Sequence, residues 1–229
     1  MPKRQLEPDL RFRFEDYFKH FSYDFKKRIV NLSLRQHFSA HQIIFFPDDP
    51  CDRVFFLRSG RVKLSKISNN QREFCFRQVA QGNFFGDECL LKLPRRGYYA
   101  TALVNTDLML IHRSDITRLL QEEAEFSYAV SCALCQRNLD TERSLNALAF
   151  LTVRERVLQS LYQRYVCDDV RQDRSLTLTH RDLAQMVSAS RETVTKVLQE
   201  LQQEDIIVLG NRSIEIKDPK VLSQLAGIL

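Results

Sequence analysis

The sequence predicts an α+β chain in which a β-barrel or sandwich precedes a long helix and a winged helix-turn-helix. Three observations carry this expectation. Short β-rich runs separated by turn residues fill residues 36–112, and a helical pattern without Gly or Pro spans residues 124–149. Residues 176–216, LTLTHRDLAQMVSASRETVTKVLQELQQEDIIVLGNRSIEI, then read as helix, turn, helix and hairpin.

The elements follow in order. Phe14, Tyr17, Phe18, Phe21, Phe25 and Ile29 suggest one or two short helices over residues 10–36. Strands are expected at IIFF (43–46), VFFL (54–57), VKLSKI (62–67), EFCFRQV (73–79), YYATALV (98–104) and LMLI (108–111). Pro47-Asp48-Asp49-Pro50, Ser59-Gly60, Asn69-Asn70, Gln81-Gly82-Asn83 and Pro94 punctuate them. Ser114 is placed to cap a helix starting at Asp115. Val130, Leu134, Arg137, Thr141, Leu145 and Leu148 then recur at spacings of three or four, as in a coiled-coil seam. A helix of about 25 residues is ~38 Å long, which suits the spine of a homodimer. A further helix at 153–165 and a charged loop at 167–174 lead into the C-terminal motif. The expected division is an N-terminal helical segment (1–35), a barrel domain (36–123), a dimerisation helix (124–150) and a winged helix-turn-helix domain (151–229).

Bulk properties narrow the function classes. With 44% hydrophobic and 28% charged residues, the composition is that of an ordinary globular protein. No apolar stretch approaches the roughly 20 residues needed to span a bilayer. The start, MPKRQLEPDLRFRFEDYF, lacks the apolar run of a signal peptide, so a cytoplasmic protein without a membrane partner is expected. A net charge of +5 permits a polyanionic partner without identifying one, because residues 170–229 are close to neutral. Six cysteines show no zinc-binding spacing, and no metal site is expected. Cys132 and Cys135 share a helical face and read as small buried hydrophobes.

The C-terminal motif carries the chemistry. Thr179 is an N-cap that Asp182 can complete as a capping box, opening a helix at 181–187. Leu183, Ala184 and Val187 face inward, and Ser188-Ala189-Ser190 forms the turn. Ser190 caps a second helix at 191–203, with Val194, Val197, Leu198 and Leu201 as its buried stripe. Arg191, Glu192, Thr193 and Lys196 are left on its N-terminal end and outer face, where a recognition helix reaches base edges in the major groove. Arg can pair bidentately with guanine, and Glu can accept from cytosine. Residues 206–216 form a wing whose turn can approach the phosphate backbone.

Ser190-Arg191-Glu192-Thr193-Val194, Leu148-Ala149-Phe150-Leu151 and Gly82-Asn83-Phe84-Phe85-Gly86-Asp87 resemble the recognition helix, hinge and effector loop of the Crp/Fnr family of bacterial transcription factors. The resemblance covers nearly the whole chain from about residue 36. It implies a cyclic-nucleotide-binding-like jelly-roll barrel, a homodimer on a pseudo-palindromic double-stranded DNA site, and RNA polymerase as a partner. It also implies base contacts from Arg191, Glu192 and Lys196, and phosphate contacts near Thr179 and His180. Lys196 stands where the family more often has Arg, and Ser188 replaces the usual turn Gly, at a position where positive φ is often needed.

For the effector, the resemblance points to Phe85, Gly86, Asp87, Arg96, Arg137, Thr141 and Glu142. Relative to the cyclic-nucleotide branch, Arg96 and Thr141 are kept, while Gly97 replaces the phosphate-binding Ser and Glu142 a base contact. Arg96-Gly97-Tyr98-Tyr99-Ala100, with Arg137 and Glu142, is similar to the cyanobacterial global nitrogen regulator branch, which binds 2-oxoglutarate. Arg96 and Arg137 can each clamp a carboxylate, with Glu142 fixing Arg137. Asp87 and Glu88 would repel a dianion unless they turn outward. Three readings stay open: a 2-oxoglutarate-like dianion, cyclic AMP, or no effector, with no cofactor required. Arg137, a guanidinium on an apolar seam, needs an acid partner or a bound anion.

An enzyme is not expected. His180-Arg181-Asp182 matches the opening of a kinase catalytic loop, but Val187 stands where Asn is needed and no Gly-rich phosphate loop precedes it. An iron–sulfur version of the family needs an N-terminal cysteine cluster, and no cysteine precedes Cys51. The competing class is a sensor that acts through protein partners, separable from a regulator by sequence-selective DNA retention.

Overall fold

Residues 54–57 and 108–111 are apolar at nearly every position because their strands are covered on both faces. In β3 (Arg53–Ser59), Phe55 and Leu57 enter a core between two sheets, while Val54 and Phe56 pack in a second core with helices. In β8 (Thr106–His112), Leu108 and Leu110 join the first core and Met109 and Ile111 the second. The computed structural model describes residues 20–69, 71, 73–167 and 175–227, and divides into the units Met1–Asp140 and Thr141–Leu229. The expected helical positions Phe14, Tyr17 and Phe18, the turn residue Asn70 and the charged loop after Cys167 lie outside the described residues.

In the first unit one sheet runs β1 (Ser33–Phe38), β8, β3, β6 (Phe84–Phe85). The other runs β2 (Ile43–Phe45), β7 (Tyr99–Ala102), β4 (Arg61–Ile67), β5 (Glu73–Ala80). Phe38, Phe85 and Leu108 from one sheet meet Phe45, Leu64, Val79 and Ala100 from the other, giving the expected sandwich core of a jelly roll. The strand β1 corrects the expectation of helix up to residue 36. It pairs antiparallel with β8 from Ser33↔Ile111 to Phe38↔Thr106. Leu34 is exposed, so the backbone ladder and not an alternating apolar face holds this strand, and apolar periodicity gives no sign of it.

Helix α1 (Tyr23–Leu32) is capped by Ser22 and buries Phe25 and Ile29. Helix α2 (Arg113–Glu122) is capped by His112 rather than Ser114: the imidazole Nδ1 accepts the Ser114 N–H at 3.3 Å. Helix α3 (Ala124–Phe150) buries Phe126, Ala129 and Val130 near its start, with the Phe126 ring 5.5 Å from that of Phe25. Its later apolar residues Leu134, Leu139, Leu145, Leu148 and Phe150 are exposed in the single chain. Cys132 is half-buried and Cys135 exposed, so the expectation of two buried hydrophobes does not hold.

The second unit contains α4 (Val153–Cys167), β9 (Ser175–Thr177), α5 (His180–Met186), α6 (Arg191–Gln203), β10 (Ile207–Gly210), β11 (Ser213–Ile216) and α7 (Pro219–Leu225). Val157, Leu161, Leu183, Leu198, Leu201, Ile207, Ile214 and Leu222 share one fully buried core. The wing is a three-stranded sheet, β10-β11-β9, rather than a lone hairpin, with Leu176 opposite Ile214. Helix α7 adds to the expected elements, and it carries its own local signal: Asp218 accepts from Lys220 and Val221 N–H, and Pro219 opens the first turn.

Candidate functional site

Local chemistry builds the C-terminal surface. Thr179 Oγ1 accepts the Asp182 N–H at 3.1 Å while Asp182 Oδ2 accepts the Thr179 N–H at 3.2 Å, completing the capping box of α5. The Asp182 carboxylate is therefore a helix cap, not a presented base. The turn closes as a Schellman motif, with Ser188 at φ 51° and the Ala189 N–H donating to Ala184 O at 3.0 Å. Left-handed backbone is strained for Ser. Ser188→Gly is expected to stabilise this unit by ~1 kcal/mol, read as a higher unfolding temperature with specific DNA affinity unchanged.

Ser190 Oγ accepts the Thr193 N–H at 3.1 Å and starts α6. Val194, Val197, Leu198 and Leu201 are buried, while Arg191, Glu192 and Thr193 are exposed and Lys196 lies beside them on the outer face. His180 Nδ1 lies 3.0 Å from Thr195 Oγ1 and links the two helices of the motif. The Glu192 carboxyl is held below its ordinary range by its own backbone N–H and by the Ser190 hydroxyl, so it is an ionised acceptor at neutral pH. Two residues of this unit give no signal in the local sequence pattern. Arg156 donates to Val187 O (2.9 Å) and Leu151 O (2.8 Å), and Arg154 pairs with Glu204 (2.6 Å). They hold α4 against the ends of α5 and α6, and only the fold brings them there.

The barrel end brings Gly86, Asp87, Arg96 and Arg137 together. Gly86, at φ 80°, precedes a short 3-10 helix, Asp87–Leu91. Both acidic residues of that turn face inward onto the arginines, so the condition under which a dianion would escape their repulsion, that they turn outward, is not met. Arg137 Nη1 donates to both Asp87 oxygens at 2.8 Å, and Arg96 Nη1 donates to Glu88 Oε1 at 2.7 Å. Tyr98 Oη donates to Glu88 Oε2 at 2.8 Å. The Arg96 side chain is 1% exposed, donates also to Gly86 O (3.2 Å) and Arg53 O (2.7 Å), and lies 4.5 Å above the Phe45 ring. Burial and the Glu88 carboxylate push the Tyr98 hydroxyl pKa far up, so it serves as a donor.

Arg77, a third guanidinium beyond the two expected, donates to Phe84 O at 2.8 Å. Burial, followed by the charge of Arg137, pushes its pKa down to about 10. Phe85 is fully buried in the core between the two sheets, its ring stacked 5.0 Å from that of Phe55. Thr141 and Glu142 are exposed on α3.

Gly86 is required twice over. A Cβ there would lie 2.8 Å from Arg96 Nη1 and 2.9 Å from Phe55 Cδ2, on a backbone that disfavours L side chains. Gly86→Ala is expected to cost ~1–3 kcal/mol of barrel stability, seen as a lower unfolding temperature, with the second unit's helix content retained.

Two family models match the chain. A cyclic nucleotide-binding domain covers residues 35–123 and a Crp-like helix-turn-helix domain covers residues 155–225. The chain is 29% identical over 197 residues to the global nitrogen regulator of Synechocystis sp., covering 82% of this chain and 86% of that one. It is 26% identical over 185 residues to the cyclic AMP receptor protein of Thermus thermophilus, covering 80% and 83%. The c-di-GMP responsive global regulator CLP of Xanthomonas campestris superposes with a TM-score of 0.78 at 23% identity, over 86% of this chain and 100% of that one, a likeness of fold.

Proposed function

This chain belongs to the Crp/Fnr family of DNA-binding transcription regulators, and on that premise we propose that it acts as a cytoplasmic homodimer reading a pseudo-palindromic DNA site. The single observation that carries the DNA reading is α6. Its apolar back is buried, and Arg191, Glu192, Thr193 and Lys196 make up its polar N-terminal face. Arg191 and Lys196 offer donors to guanine edges, and the ionised Glu192 accepts from cytosine. Thr179, His180 and Ser190 sit at the helix starts, where backbone N–H groups meet phosphates.

The exposed row Leu134, Leu145 and Leu148 on α3 supports the dimer, since a second copy of the same helix covers such a seam. Two recognition helices related by that two-fold reach half-sites about one helical turn, ~34 Å, apart. RNA polymerase is the partner that the family relationship suggests. In the barrel, a 2-oxoglutarate-like dianion at Arg96 and Arg137 has to displace Glu88 and Asp87, and a cyclic AMP phosphate at Arg96 has to displace Glu88. Among the described residues no helix is long and apolar enough to cross a membrane.

The test is selection of bound sequences from random DNA by the purified full chain, followed by titration at several salt concentrations. Enrichment of a two-fold-symmetric site is expected, with a steep salt dependence. Salt-sensitive retention without enrichment of any site, or none at all, would leave the alternative of a sensor that docks on proteins.

A further inference from the structure

Asp87 and Glu88 are neighbours on one short turn, yet their carboxylates reach two different arginines. Both Asp87 oxygens accept from Arg137, and the two Glu88 oxygens divide between Arg96 and Tyr98. The pairs are largely enclosed: side-chain exposure is 1% for Arg96, 21% for Glu88, 25% for Arg137 and 19% for Asp87. Charge and hydrogen-bond geometry on this turn thus reproduce what a small dicarboxylate offers, two acid groups held by two guanidinium groups. The backbone is shaped for it. Gly86 lets Arg96 press against the turn where a Cβ would collide, and Tyr98 is fixed for its hydrogen bond by edge contacts to Phe45 and Phe76 at 5.3 and 5.4 Å.

We propose that Asp87 and Glu88 are built-in substitutes for an anionic effector, so that the barrel is held in its ligand-occupied arrangement by its own chain and DNA binding needs no small acid. This rests on the reading of Arg96 and Arg137 as the sensing site of a DNA-binding regulator. The mechanism is competition. An external anion binds only the fraction of molecules in which a carboxylate has left its arginine, and its apparent affinity falls by that fraction. A charged pair that is hydrogen-bonded and shielded from water makes the fraction small.

The experiment is calorimetry of the full-length wild type with three probes, 2-oxoglutarate, cyclic AMP and inorganic phosphate, beside the same titrations of Glu88→Gln and Asp87→Asn. Each variant removes one negative charge and keeps the side-chain size. The wild type is expected to show no saturable heat, and its specific DNA affinity to change less than about twofold with each probe. Glu88→Gln, with Arg96 released, is expected to bind at least one of the probes at least about tenfold more tightly than the wild type. Saturable binding by the wild type that weakens on Arg96→Met overturns the proposal, as does a folded Glu88→Gln that binds none of the three. The wild-type titration decides even where that variant fails to fold, and Asp87→Asn leaves the Arg96–Glu88 pair intact as a second probe of the turn. Failure of the regulator reading is separate, because it appears as loss of sequence-selective DNA retention with no probe present, whatever the heats of the three probes.

Discussion

Replacing Arg191 with Ala is expected to weaken binding to the selected DNA site by ~1–3 kcal/mol while leaving binding to random DNA nearly unchanged. The physical basis is the position of the side chain. Arg191 is the first residue of α6, exposed, and next to the Ser190 cap, so its guanidinium can meet a base edge without giving up a structural bond. A bidentate Arg–guanine pair discriminates against a wrong base by leaving donors unmatched, and that penalty is absent where no base is read. Titration of the variant on the selected site and on a scrambled duplex, at matched salt, separates the effects. An equal loss on both would make Arg191 a phosphate contact.

A second change should produce a loss of a different kind. Leu198 is fully buried on the back of α6, in the core shared with Leu183, Leu201, Ile207 and Ile214. Leu198→Ala removes packed methyl groups and leaves a cavity, at an expected cost of ~2–5 kcal/mol. For a unit of this size that is a large share of total stability. The recognition helix loses its support, so specific and random DNA binding should fall together, with unfolding of the second unit at a lower temperature. Arg191→Ala should leave the unfolding temperature where it was. The pair of variants distinguishes reading DNA from holding the reader in place.

The two ends of the molecule differ in how much the sequence discloses. At the C-terminal end, signals are local: caps lie within three residues of their targets, and the stripe of α6 repeats every three or four positions. Thr179, Asp182, Ser190 and the bounds of α6 are all legible for that reason, whereas the left-handed Ser188 is expected only from the family resemblance. What stays hidden there involves partners distant in sequence: β9 completes the wing from the far side of α5 and α6, and Arg156 reaches Val187. In the barrel, runs with apolar residues on both faces reveal strands, but β1, with a mostly exposed face, is defined by its ladder to β8.

Local signals alone dictate a β-rich unit followed by a long helix and a capped helix-turn-helix, because helix caps, turn residues and apolar periods act over a few positions. They also dictate which side chains α6 presents. What the arginines of the barrel hold is settled only by the folded chain. Arg96 and Arg137 stand 8 and 50 residues from the carboxylates they meet, and the sequence leaves open whether Asp87 and Glu88 turn inward or outward. Folding decides it for an electrostatic reason. Once burial strips water from two guanidinium groups, the nearest acids of the chain stabilise them most, and the turn after Gly86 puts Asp87 and Glu88 within reach.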